Sequence, residues 1–97
     1  MDTTTVTNET LGADAVFCSA FLEMAKQEVD RGESILARRI LSRAEEVYLE
    51  VRAHLVGVDD GAAKQRLRRK LLDIRSRLDI LDGEVKRLAT RAGRSQV

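Results

Sequence analysis

The stretch from Leu67 to Leu88, LRRKLLDIRSRLDILDGEVKRL, decides the fold of this 97-residue chain. Its apolar positions Leu67, Leu71, Ile74, Leu78, Leu81, Val85 and Leu88 alternate spacings of four and three without an exception. A seam of that kind lays one apolar stripe along a helix for about three heptads. Only Gly83 interrupts it, at an outward position, at a cost of about 1 kcal/mol relative to Ala. The helix is expected over about residues 60–91.

Working back from the seam, Gly57-Val58-Asp59-Asp60-Gly61 reads as a turn, with Asp59 or Asp60 capping the helix that follows. Before it, Ala37, Ile40, Leu41, Ala44, Val47, Tyr48, Val51 and Leu55 recur every three or four residues, so a second helix is expected over about 34–56. Asp30-Arg31-Gly32 separates it from a first helix over about 14–31, because Gly32 takes the left-handed conformation without a Cβ clash. The first helix is expected to bury Phe17, Cys18, Phe21, Met24, Ala25 and Val29. Residues 1–10 are Thr-rich and aperiodic and read as a disordered tail, and 95–97 as a short second one. Short connections make neighbouring helices antiparallel. The expected fold is therefore all-α: an antiparallel three-helix bundle over 11–94 with a long C-terminal helix.

Composition agrees with this reading and excludes others. Eleven Ala and twelve Leu stand against three aromatics, with no Pro or Trp, which disfavours a β-sandwich or barrel. The chain is too short for several βαβ units. Net charge is +1, so no global field steers it to an anionic surface. The single cysteine, Cys18, forms no intramolecular disulfide, and MDTTTVTNET has neither a basic nor an apolar signal region. No apolar run approaches the ~18 residues of a membrane helix. A reduced, cytoplasmic setting is expected, without contact with a membrane.

The spacing Phe21-x-x-Met24-Ala25, Gly32, Ala37-x-x-x-Leu41-x-x-Ala44 resembles one tetratricopeptide repeat (TPR) over about residues 18–50. Glu28, Ser34 and Leu49 depart from that pattern, and only one unit is present. A single such hairpin followed by a third, basic helix resembles the microtubule-interacting-and-trafficking (MIT) adaptor modules. Asp30-x-Gly32, Ala37, Ala44 and Tyr48 carry that likeness. The resemblance implies a groove beside the third helix that takes up a partner's helix or extended peptide.

Chemistry is sparse by comparison. One His and one Cys provide no chelating pair of either type, and Glu50 with His54, i and i+4, reads as an exposed pair near a helix end. Cys18 lies on the apolar face with no His near it in sequence, so it reads as a small buried hydrophobe. Glu45-Glu46 and Asp59-Asp60 read as a solvated face and a turn. Gly57 and Gly61 lack the spacing of a phosphate loop. No catalytic residue, metal ligand or cofactor is expected, and the chain reads as a non-enzyme.

Charge distribution is more informative. Residues 1–32 carry a net −4, residues 33–57 a net 0, and residues 58–97 a net +5. Within 64–77, Lys64, Arg66, Arg68, Arg69, Lys70, Arg75 and Arg77 face the single acid Asp73. On a helical wheel Lys64, Arg68 and Arg75 flank one side of the seam, Arg66, Lys70 and Arg77 the other, and Arg69 points away. Pairing with acids of the first helix, Glu23, Glu28 and Asp30, is one use for them. An acidic protein partner is a second, and nucleic acid a third, although no aromatics interleave the charges to stack on bases.

The expected function is a protein-interaction module that binds a partner, such as an acidic amphipathic helix, along the third helix. Its candidate contact residues are Leu71, Leu78, Leu81, Val85 and Leu88, rimmed by Arg68, Arg75 and Arg77. A small nucleic-acid-binding protein using Lys64 to Arg77, or a purely structural oligomer, are the alternatives. The third helix is expected to overhang the others by about ten residues at 1.5 Å per residue. That overhang would leave Val85 and Leu88 for a homodimer contact or a partner, unless the helix breaks at Gly83.

Overall fold

In the computed structural model, which describes residues 8–59 and 61–95, three helices follow one another: α1 (Asn8–Asp30), α2 (Ser34–Leu55) and α3 (Gly61–Ser95). No strand occurs among the described residues. α2 runs antiparallel to both neighbours, as the pairs Cys18–Ala44 and Arg38–Asp82 require. The expected tail lies outside the described residues as far as position 7. Asn8 to Thr10 already belong to α1. At the other end, residues 96 and 97 of the expected 95–97 tail also lie outside, as does the candidate cap Asp60.

α1 starts about six residues before the expected Asp14 because its buried face starts earlier. Leu11, Ala15, Cys18, Leu22 and Ala25 form a stripe spaced 4-3-4-3 that is almost wholly removed from water. Phe17 and Met24, expected in the core, are instead 60% and 46% exposed, and Phe21 is half-buried. The reason is steric. Ala25, Ala37 and Ala44 are fully buried where α1 meets α2, and the Cys18 thiol reaches within 3.2 Å of the Ala44 carbonyl oxygen. Helices that close have no room between them for aromatic rings, so the small-residue stripe turns inward and the rings sit on its flank.

The turn after α1 is a complete left-handed cap. Gly32 has φ +80°, its N–H donates to the Val29 carbonyl at 3.0 Å, and the Glu33 N–H donates to the Glu28 carbonyl at 2.9 Å. The second turn works differently. Gly57 needs no positive φ; its N–H and that of Val58 donate to the His54 and Leu55 carbonyls, and the buried Val58 side chain anchors the connection in the core.

α3 passes through Gly83 unbroken. Its 35 residues correspond to roughly 52 Å at the usual helical rise, most of the 59 Å long axis of the molecule. The expected overhang is much shorter than ten residues. Val85 is 2% exposed, and Leu88 is half-buried in a cleft it shares with Val29 of α1. Ser34 and Ile35 at the start of α2 still line a groove with Ala89 and Thr90. The hairpin end therefore reaches along α3 to about Thr90, covering Val85 fully and Leu88 in part, while Ala89 stays exposed.

Candidate functional site

Two helices set the candidate site: α3, which carries the cations, and α2, which lies beside it. Leu71, Leu78, Leu81 and Val85 are buried against the protein's own hairpin. A ligand therefore reaches them only at the margins of the helix contacts, where grooves open. Among the expected rim residues, Arg77 is a tie between helices: it bonds Glu23 of α1 at 2.7 Å and lies 3.9 Å from Asp73. Arg75 sits 5.6 Å from the centre of the Tyr48 ring, a cation–π distance, and also bonds Asp79 one turn along. Arg68 is exposed.

Beyond Arg75 several of the charges are matched within the molecule. Arg38 of α2 bonds Asp82 at 2.7 Å, and Lys86 bonds the other oxygen of the same carboxylate at 2.9 Å. These hydrogen bonds, first from Arg38 and then from Lys86, hold the Asp82 carboxyl below its ordinary pKa. The N-terminal half of α3 differs. Among the described residues no ion pair forms at Lys64, Arg66, Arg68, Arg69 or Lys70, nor at Arg52 of α2. Of the pairings expected between the first helix and the cations beside the seam, Glu23 makes one, with Arg77, while Glu28 bonds Arg31 of its own turn instead.

Four of those cations, Arg52, Arg66, Arg68 and Lys70, border two clefts with apolar floors. Between α2 and α3, a cleft of about 290 Å³ is floored by Tyr48, Leu55, Leu71 and Leu72, with Arg52 and Arg68 at its margin. Leu72 is 72% exposed, one residue out of phase with the seam. Between α1 and α3, a cleft of about 420 Å³ has Ala15, Val16, Ala63 and Leu67 as its floor and Arg66 and Lys70 at its margin. Sequence reasoning placed Arg68 and Leu71 here but missed Arg52, Leu55 and Leu72. The available signal was Leu72 itself, an apolar residue off the stripe and flanked by charge.

The remaining chemical candidates have structural roles. Cys18 is fully buried, its thiol donates to the Ala44 carbonyl, and burial raises its pKa against a smaller opposing pull from Arg77. A raised pKa keeps the group a thiol rather than the nucleophilic thiolate. The His54 ring lies 2.8 Å from the Glu50 carbonyl through Nδ1, a contact within its own helix. No group of three or more metal-ligating side chains lies together among the described residues. Nor is any described helix long and apolar enough to cross a membrane. Compared with protein families, curated proteins and solved structures, the chain matches none of them.

Proposed function

We propose that this chain is a non-enzymatic interaction module that takes an acidic amphipathic helix or peptide of a protein partner along α3, in a cytoplasmic setting. The observation that carries the reading is the α2–α3 cleft, apolar at its floor and bordered by Arg52 and Arg68, at which no ion pair forms among the described residues. An apolar side chain of the partner would fill the space over Leu71 and Leu72, and its flanking carboxylates would meet the two guanidinium groups. The position accords with what the likeness to MIT modules implies, a groove beside the third helix. Nucleic acid fits less well. The cations diverge to both sides of α3, and the nearest aromatic ring, Tyr48, already lies beneath Arg75.

Selection from a displayed library of random helical peptides tests the reading. Recovered sequences are expected to carry Asp or Glu beside Leu, Ile or Phe at three- and four-residue spacing. Their binding is expected to fall at least tenfold on Arg52→Glu with Arg68→Glu, about 1.4 kcal/mol or more, while the melting temperature holds. Recovery of basic peptides, or equal binding to the double variant, would overturn it. So would tighter binding of a DNA or RNA duplex at physiological salt, where phosphate contacts are strongly weakened.

A further inference from the structure

A second surface, on the opposite side of the molecule, has the features of a self-association face. The flank of α1 that carries Val16 and Glu23 turns toward α3, as the cleft with Ala63 and the Glu23–Arg77 bond show. The flank of α2 that carries Arg38, Ser42 and Glu45 does the same. At 100° per residue, the remaining flanks come together on the α1–α2 face turned away from α3. α1 contributes Phe17, Phe21 and Met24 there, and α2 contributes Leu36, Ile40 and Val47. Phe17, Met24 and Leu36 are exposed, the other three are half-buried, and both phenylalanines of the chain lie on this strip.

We propose that this face joins a second copy of the same chain, α2 against α2 in antiparallel sense across a two-fold axis. Charge carries the choice of occupant. Beside Leu36 and Val47, the outer edge of α2 holds Arg39 and Arg43 in its first half and Glu46 and Glu50 in its second, all exposed. An antiparallel copy pairs position i with position j when i and j share a midpoint, and both Arg39–Glu50 and Arg43–Glu46 are centred between Ala44 and Glu45. One axis therefore satisfies both pairs at once, giving four intermolecular ion pairs per dimer. The Arg43–Glu46 bond seen within one chain would be exchanged for its equivalent between chains. Cys18 lies beside Ala44, so the same axis passes close to Phe17, which meets its own copy. The α1 part of the strip also carries Asp14 and Glu28, both half-buried, with Glu28 bonded to Arg31, and its far edge is formed by Ala13, Ala20 and Gln27.

Size agrees with this occupant. Two helices of about 33 Å, side by side over a width of about 20 Å, offer roughly 650 Å² per chain, near the ~800 Å² per partner of a standard specific interface. The face is separate from the α2–α3 cleft, so the dimer and the peptide site stand or fall independently.

Sedimentation equilibrium on the whole chain is the test. The wild type is expected at about twice its 10.8 kDa mass. Phe17→Glu with Met24→Glu, both at exposed positions, is expected to weaken the dimer by at least about 100-fold, since each substitution acts twice at a two-fold interface. Two further chains isolate the charge argument: one carrying Arg39→Glu and Arg43→Glu, the other Glu46→Lys and Glu50→Lys. Each alone is expected to be monomeric, and their mixture to restore a 1:1 dimer. A monomeric wild type up to about 100 µM would overturn the proposal. So would a dimer insensitive to Phe17→Glu with Met24→Glu, or a mixture of the two charge variants that stays monomeric while both keep their helical signal.

Discussion

The two halves of α3 share one apolar seam and use their charges in opposite ways. From Asp73 to Lys86, cations and acids are interspersed; Arg75 and Lys86 are bonded to Asp79 and Asp82 a turn away, and Arg77 lies 3.9 Å from Asp73. Arg77 and Asp82 also reach across to Glu23 of α1 and Arg38 of α2. From Gly61 to Leu72 there are five cations and no acid, and among the described residues no ion pair forms at any of the five. Both halves bury leucines equally well, so the difference does not concern how the helix packs. It concerns what is left over once it has packed. A matched half has little electrostatic reason to bind anything, whereas an unmatched half gains counter-charge only from a partner or from solvent ions.

The comparison breaks most visibly where the shared seam is cut. Ile74 is fully buried at the junction of the two halves, so Ile74→Ala is expected to cost about 2–5 kcal/mol in urea unfolding and to destabilise both halves together. Loss of structure in one half alone, followed by hydrogen exchange, would show that the seam is not a single cooperative unit. A smaller effect is expected at the corner between α1 and α2, which sets where the acids of the hairpin meet α3. With φ at +80°, Gly32→Ala should cost on the order of 1 kcal/mol and Gly32→Val more, read as a fall in melting temperature.

Smaller again is the contribution of the matched charges. Asp82 is held below the ordinary carboxyl pKa of about 4, so its bonds add stability above that pH and lose it as pH falls through the folded value. The side chain is more than a third exposed, so solvent limits the effect to about 0.5 kcal/mol. Wild type should therefore lose slightly more stability than Asp82→Asn between neutral pH and acid. The smallest effect is expected in the unmatched half: Arg69→Gln should change stability by less than about 0.5 kcal/mol. A clear drop on Arg69→Gln would mean that this cation is matched after all, and the contrast between the halves would fail.

The rotation of α1 was the hardest feature to read from residues alone. Its sequence holds two apolar stripes, one of Leu and small residues and one containing Phe17, Phe21 and Met24, and their periods are the same. Hydrophobicity ranks the aromatic stripe higher. Packing reverses the order, because the Ala37 and Ala44 surface of α2 accepts only a close neighbour. The same limit applied to the candidate site. Leu71 and Arg68 were visible as seam and rim, but the cleft between them needed Arg52 and Leu55 from another helix, at a sequence distance that no local pattern reports.

The three helices, the heptad seam of α3, the glycine corner at position 32 and the basic character of residues 64–70 all followed from spacing and residue type. Each depends on interactions within one or two turns of backbone, which a linear chain states directly. Which stripe of α1 turns inward, which cations find acids, and where apolar clefts open depended instead on helix against helix. Those outcomes depend on how closely two surfaces approach and on which charge arrives opposite which, and both are settled when the bundle closes.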